Sequence, residues 1–274
     1  MSEFRSHNTA VLVLSCDKYS DIWPVFFDFF DKYWSDCPYP VYLATNTIKF
    51  ERKGVTQLFS NKHTTWSEEL AAILAKIKEK NIILILEDYF IYQPVNNHDI
   101  EAVIDLFERK KAAFCRLGCF PKMYDELWPF EPFTDKINYG VILPDAKYRI
   151  CLQTALWNKN DLASLLKEDE DPWQFEIEGS KRTRQINKPF LNLIADPKIK
   201  EVHGPIRYYC TALSAGKWMR GAIKLCKENN IAIQSSRPIE SRLLTLKRYL
   251  YINSPIKIRK IFDFMNHSLN KLWN

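Results

Sequence analysis

Glycine is scarce in this chain: there are seven in 274 residues. None sits in a G-x-G-x-x-G or P-loop pattern, so a dinucleotide-binding or P-loop site has no motif behind it. The seven cysteines are odd in number and scattered. Cys115 and Cys119 stand four apart, but no C-x-x-C or Cys/His zinc spacing occurs. That excludes a disulfide framework or zinc ribbon and fits reduced thiols. No apolar run reaches the roughly 20 residues of a transmembrane helix. The opening MSEFRSHN has no apolar signal core, so the expectation is a cytoplasmic chain without secretory targeting.

Aromatic residues are plentiful, with 8 Trp, 13 Tyr and 17 Phe in a chain that is 46% hydrophobic. That is enough for a sizeable core in one large domain or two small ones. Charge is unevenly placed. From Arg237 onward eight basic residues face only Glu240 and Asp263, which accounts for the whole net charge of +6. A basic tail on a formally neutral body argues against a nucleic-acid groove and for a local anionic partner. The expected division is therefore residues 1–236 as the main domain and 237–274 as a basic tail.

The organising stretch is NIILILEDYFIYQP, Asn81 to Pro94. Ile82 to Leu86 is an unbroken apolar run of strand length, as in a central parallel strand covered on both faces. It delivers Glu87 and Asp88 at its end. Open α/β sheets bind ligands at the carboxyl ends of their strands, and paired carboxylates suit a hard divalent cation carrying phosphate oxygens. A solvated loop that happens to begin with two acids is the other reading of the same residues.

The rest reads as alternating strands and helices. Thr9 to Ser15 predicts a first buried strand ending in Cys16, Asp17 and Tyr19. A helix over Ile22 to Trp34 follows, with Pro24 in its first turn. Val41 to Ala44 is a second strand ending at Asn46, and Val55 to Phe59 a third. Ser67 is the expected cap of a helix reaching Lys80, and Ile100 to Lys111 predicts another. Phe114 to Leu117 and Tyr148 to Trp157 read as strands, Leu162 to Leu166 as the start of a short helix. Phe120 to Lys147 reads as a long aromatic loop. The acidic run Glu168 to Asp171 precedes Glu176, whose aromatic neighbours Trp173 and Phe175 favour a more basic carboxylate. Phe190 to Ile194 and Val202 to Tyr209 predict late strands, and Met219 to Asn229 a late helix.

Taken in order, VLVLSCDKY, WSEEL, ILILEDYF, YRICLQTALW, DPWQFEIEGS and GKW resemble the GT-A-fold glycosyltransferases of bacterial capsule and lipopolysaccharide loci. The resemblance runs from residue 11 to 218, about three quarters of the chain. It implies a mixed, mainly parallel α/β sheet flanked by helices, and transfer of a sugar from a nucleotide diphosphate-sugar, a UDP-sugar, to a surface glycan or lipid-linked glycan. A base candidate in Glu176 and the lack of a clear nucleophile favour inversion over retention. The family's acidic metal motif falls on Glu87 and Asp88, although the strict D-x-D is absent. Mn²⁺ or Mg²⁺ is the implied cofactor, with His203 as a late histidine completing the shell. Ser15, Asp17 and Tyr19 take the donor-contact positions, Glu176 the general base. Asn46, at the carboxyl end of the adjacent strand, is a further candidate donor contact by position alone. Trp128, Trp157 and Trp173 are candidate walls for acceptor sugars, each also readable as core. The same acids would serve a metal-dependent nucleotidyl- or phosphotransferase, and the fold a non-catalytic sugar-binding protein.

Ser254-Pro255 is good helix-start chemistry. Beyond it Ile258, Phe262, Met265, Leu269 and Leu272 form one apolar stripe, with Lys257, Lys260 and Lys271 off it and Trp273 near the end. A basic amphipathic helix of this kind suits the surface of an anionic membrane, here the inner face. Packing of the stripe on the domain or on a second subunit is the alternative.

Overall fold

The computed structural model describes residues 8–60, 65–118, 130–132, 139–193 and 204–254. They fall into two compact units divided after Cys210.

The first unit opens with β1 (Thr9–Leu14), α1 (Trp23–Tyr33), β2 (Val41–Thr45) and β3 (Val55–Phe59). α2 (Trp66–Lys76), β4 (Asn81–Leu86), β5 (Phe90–Ile91), α3 (Asn97–Arg109) and β6 (Phe114–Arg116) follow. Every residue of β1 is buried, as is β4 up to Ile85, as two-faced coverage requires. α2 begins two residues earlier than expected. Thr65, not Ser67, is its cap, closing a capping box with Glu68 in which the Thr65 amide donates to Oε2 at 2.7 Å. Ser67 is instead buried and accepts from the Glu170 amide at 3.3 Å.

β7 (Phe130–Pro132) and β8 (Tyr139–Ile142) lie in the region expected to be loop. β9 (Ala155–Asn158), α4 (Lys159–Leu165), α5 (Pro172–Gln174), α6 (Ser180–Arg182), β10 (Phe190–Leu193) and β11 (Tyr208–Tyr209) complete the unit. α5 and α6 are joined by a π turn, Phe175–Gly179. The expected strand from Tyr148 is strand only from Ala155. Asp171, in the acidic run, caps α5 by accepting from the Gln174 amide at 2.8 Å. Glu170 pairs with Arg182 at 2.5 Å.

Among the described residues nine strands make one sheet in the order β3-β2-β1-β4-β9-β6-β10-β8-β7. β1, β2, β3 and β4 are mutually parallel. β9 runs antiparallel to both β4 and β6, and β8 antiparallel to β10 and β7. The sheet is therefore mixed but mainly parallel. Ala10, Leu12, Leu14, Ile82 and Leu84 share one core with Leu70, Ile73 and Leu74 of α2 and Leu162 and Leu165 of α4. Strand alternation sends the equally buried Val11, Val13, Ile83 and Ile85 to the opposite face.

The second unit opens on a hairpin of β12 (Leu213–Ser214) and β13 (Lys217–Trp218). Ala215 and Gly216 both have positive φ, +48° and +73°, as a two-residue primed turn demands. α7 (Arg220–Glu228) and α8 (Arg242–Asn253) follow. Glu240 is buried and gathers the Arg220 amide at 3.3 Å, the Thr245 hydroxyl at 3.1 Å and the Arg248 guanidinium at 3.6 Å. Among the described residues no helix is long and apolar enough to cross a membrane. The stripe from Ile258 to Leu272 lies outside the described residues.

Candidate functional site

The strand order fixes where a ligand would lie. From β1 the chain first adds β2 and β3 on one side, then returns to add β4 on the other. That reversal opens a crevice between the carboxyl ends of β1 and β4, the usual ligand position in open α/β sheets. Two loops rim it: Ser15 to Tyr19 after β1, and Glu87 to Tyr89 after β4. Glu87 is 7% exposed and Asp88 half-buried. The turn is closed by the Tyr89 amide donating to the Leu86 carbonyl at 3.1 Å. Electrostatics place the two loops together. Burial raises the Cys16 thiol, a bond with the Lys18 backbone opposes this, and the charges of Glu87 and Glu69 add to the rise.

Several expected donor contacts are engaged within the fold. The Ser15 hydroxyl accepts from the Trp23 indole at 2.7 Å, which fixes the entry to α1. The Asp17 carboxylate accepts from the amides of Asn46 (3.1 Å), Thr47 (2.9 Å) and Ile48 (3.0 Å) and from the Thr47 hydroxyl (2.7 Å). Burial would raise its pKa, but these bonds outweigh it and hold Asp17 below the usual value. Asn46 accepts from the Asp17 amide at 2.9 Å and donates to Ser60 at 3.1 Å and Glu69 at 2.7 Å. These residues tie the β1 and β2 loops into one rim. Tyr19 closes a 3₁₀ turn on the same loop.

Glu176 lies in the π turn, half-buried. Its Oε1 accepts from the Leu152 amide at 2.7 Å. Among the described residues Oε2 has no hydrogen-bond donor. Burial raises the carboxyl's pKa, opposed by the Leu152 bond and the Arg116 charge. Arg116 ends β6 on the same edge of the sheet and is fully buried. It donates to Asn192 at 2.9 Å and to the Tyr148 carbonyl at 3.2 Å.

The acceptor walls fare unequally. Trp157 is fully buried in β9, with its ring 4.5 Å from Phe114. It is a core residue: no face is left for a sugar, and the expectation that it lines the acceptor site is corrected. The error arose because an apolar strand and a sugar platform use the same residue type. Trp173 is 72% exposed on α5. Trp128 and His203 lie outside the described residues.

Sequence reasoning passed over Glu69, Arg116, Gln153 and Tyr208, all of which the fold brings to this edge. Gln153 donates to the Tyr89 hydroxyl at 3.0 Å and to the Cys210 sulfur at 3.4 Å, and accepts from the Tyr208 hydroxyl at 2.9 Å. The legible signal was weak: polar Gln153 and Thr154 interrupt an apolar run where a strand was expected. Among the described residues no three His, Cys, Asp or Glu side chains are grouped to hold a metal.

The architecture is thus a mixed α/β sheet with an acidic rim at a topological switch point. No protein-family model matches the chain, and no curated protein matches it in sequence. Among solved structures it is similar to S. aureus TarS residues 1–349, at 9% identity and a TM-score of 0.47, covering 74% of this chain and 60% of that one. Against longer TarS it spans 37% of the other chain's length. It is also similar to UDP-glucose pyrophosphorylase complexed with UDP-glucose (9% identity, TM-score 0.44, 73% of this chain and 91% of that one). An active-site mutant of LgtC matches at 9% identity and a TM-score of 0.44, over 81% and 95% of the two chains.

Proposed function

We propose that this chain is a glycosyltransferase that moves a sugar from a nucleotide diphosphate-sugar, a UDP-sugar, to a bacterial surface glycan or its lipid-linked precursor, with inversion. The observation that carries this reading is the Glu87–Asp88 turn at the carboxyl end of β4, beside the β1/β4 crevice. The ordered sequence resemblance supports it.

Glycosyl transfer needs three things. The acceptor hydroxyl must lose a proton, the bond from the anomeric carbon to the diphosphate must break, and the leaving diphosphate's charge must be met. Glu176 suits the first task. Its carboxylate is oriented through one oxygen and raised in basicity by burial, and a positioned base contributes about 10²–10⁴-fold. Attack by the acceptor oxygen on the face opposite the diphosphate forms the new glycosidic bond as the old one breaks, which inverts the anomeric centre.

Asp88 and Glu87 face the diphosphate. Glu87 and Asp88 would be the side chains to hold a Mg²⁺ or Mn²⁺ ion, since hard divalent cations take carboxylate oxygens. Such an ion, when bound, would neutralise charge on the departing nucleoside diphosphate. His203 is retained in this proposal as a further ligand, and Trp173 and Trp128 as acceptor contacts.

The test is incubation with a panel of nucleotide-sugars, followed by phosphorus NMR. Release of nucleoside diphosphate supports glycosyl transfer. Formation of pyrophosphate from a nucleoside triphosphate and a sugar phosphate would instead make the chain a nucleotidyltransferase. Binding without turnover would make it a sugar-binding protein. For the basic tail the proposed partner is anionic lipid. Co-sedimentation with anionic vesicles should be lost on truncation after Asn253 and weakened by high salt. Equal sedimentation of both chains would remove the membrane from the account.

A further inference from the structure

Leu152 and Gln153 are adjacent, and each holds one of the two acidic elements of the site. The Leu152 amide donates to Glu176 at 2.7 Å. The Gln153 side chain bonds Tyr89, the residue after Asp88, at 3.0 Å. We propose that Leu152–Gln153 is a common mount that fixes Glu176 and the Asp88 turn relative to each other, with Gln153 as the positioning residue. The proposal rests on the reading of these acids as the reacting site.

The Gln153 amide has two donors and an acceptor, and all are used. Both donors are spent, on Tyr89 and Cys210, while the oxygen receives the Tyr208 hydroxyl at 2.9 Å. The two phenol rings stack beside it, with centroids 5.0 Å apart and planes at 20°. A phenol hydroxyl can both accept and donate, so either ring can serve the Gln153 amide. The Glu87–Asp88 turn is therefore held at both ends. β4 anchors it through the Leu86 carbonyl, and the clamped Tyr89 anchors it on the far side.

The surroundings make the clamp stiff. β5 pairs with β11, Tyr208 opposite Ile91 and Tyr209 opposite Phe90. Phe90 stacks on Phe29 at 5.0 Å. The mount is itself tied to β6 through the Leu117 amide, which donates to the Thr154 carbonyl at 3.0 Å. A part-buried side-chain network in which the Gln153 amide uses both donors and its oxygen specifies geometry more than it adds stability. For a reaction with a base on one part and a leaving-group site on another, a displacement of about 1 Å costs on the order of 10²-fold.

The experiment compares Gln153→Leu, which keeps bulk and removes all three bonds, with Gln153→Glu. The carboxylate of the second variant can accept from both phenols, and only the cysteine bond is lost. Hydrogen exchange by mass spectrometry and steady-state kinetics with the hydrolysed nucleotide-sugar are the two readouts. In Gln153→Leu, exchange over residues 87–93 and 204–210 rises about ten-fold while β1 and β4 keep their protection. Its kcat falls about ten- to hundred-fold with KM for the donor changed less than about three-fold, and Gln153→Glu recovers most of both. Unchanged exchange in Gln153→Leu overturns the mount, as does faster exchange spread evenly over the sheet. Unchanged kcat, or no recovery in Gln153→Glu, overturns its role in positioning. A chain that turns over no nucleotide-sugar defeats the proposed function, and the exchange result alone then decides whether the mount exists.

Discussion

A methyl group added at Gly118 would overlap the Tyr208 hydroxyl and stand 3.0 Å from two carbons of its ring. Carbon atoms rest at about 3.5–4.0 Å, so the ring would have to withdraw by roughly 0.5–1 Å. A free side-chain tip could do this cheaply. Tyr208 is not free: it stacks on Tyr89 and donates to Gln153 at 2.9 Å. Overpacking costs about 1–3 kcal/mol, and the lost hydrogen bond adds about 0.5–1.5 kcal/mol. Gly118→Ala should therefore destabilise by about 2–4 kcal/mol, which for a domain of this size lowers Tm by roughly 4–16 °C. Two other glycines calibrate the argument. Gly54→Ala meets nothing within 4 Å but forces a side chain onto φ +80°, a cost of about 1–2 kcal/mol. Gly204→Ala would drive its methyl into the Leu117 carbonyl, which is backbone and cannot swing away. The expected order of loss is Gly204→Ala, then Gly118→Ala, then Gly54→Ala, read from thermal melts followed by circular dichroism. A Gly118→Ala chain that melts within a degree of the parent would refute the steric account of this edge.

Trp157→Ala should cost about 3–5 kcal/mol as a core truncation, with Trp157→Phe restoring most of it; donor and acceptor KM should not move in Trp157→Phe, and a selective rise in acceptor KM would return Trp157 to the site. Glu176 has a raised folded pKa, so its contribution to stability is fully present below the ordinary carboxylate value and is lost as pH rises through the folded one. Glu176→Gln should therefore gain stability relative to the parent as pH climbs above about 4.5, while losing transfer far more than donor binding; denaturant melts that show no pH trend in the difference would contradict the burial argument.

Much of the framework could be read from the residues, because unbroken apolar runs of strand length have few other uses. β1 to β4, β6 and the helices between them lie within a few residues of their expected places. The misreadings share one cause: apolar content does not say which element a residue joins. Tyr148 to Thr154 looked like strand, yet it supplies the mount for Glu176 and Tyr89, with only Ala155 onward in the sheet. Strand direction was also hidden. β9 runs against β4 because of where the chain returns from, a long-range matter that no local pattern encodes. At the site, Glu87 and Asp88 were legible as acids after a buried strand. Asp17 and Asn46 were legible as strand-end residues but not as partners of each other, since their bonds cross a gap of 29 residues.

The central claim is that the acids after β4 face a donor diphosphate, and the most direct measurement is donor turnover by Asp88→Asn beside the parent chain. The substitution keeps volume and deletes charge. The account predicts a loss on the order of 10²-fold or more, with an unchanged melt and unchanged exchange protection in β1 and β4. Turnover within about three-fold of the parent, a barrier change under roughly 1 kcal/mol, would contradict it.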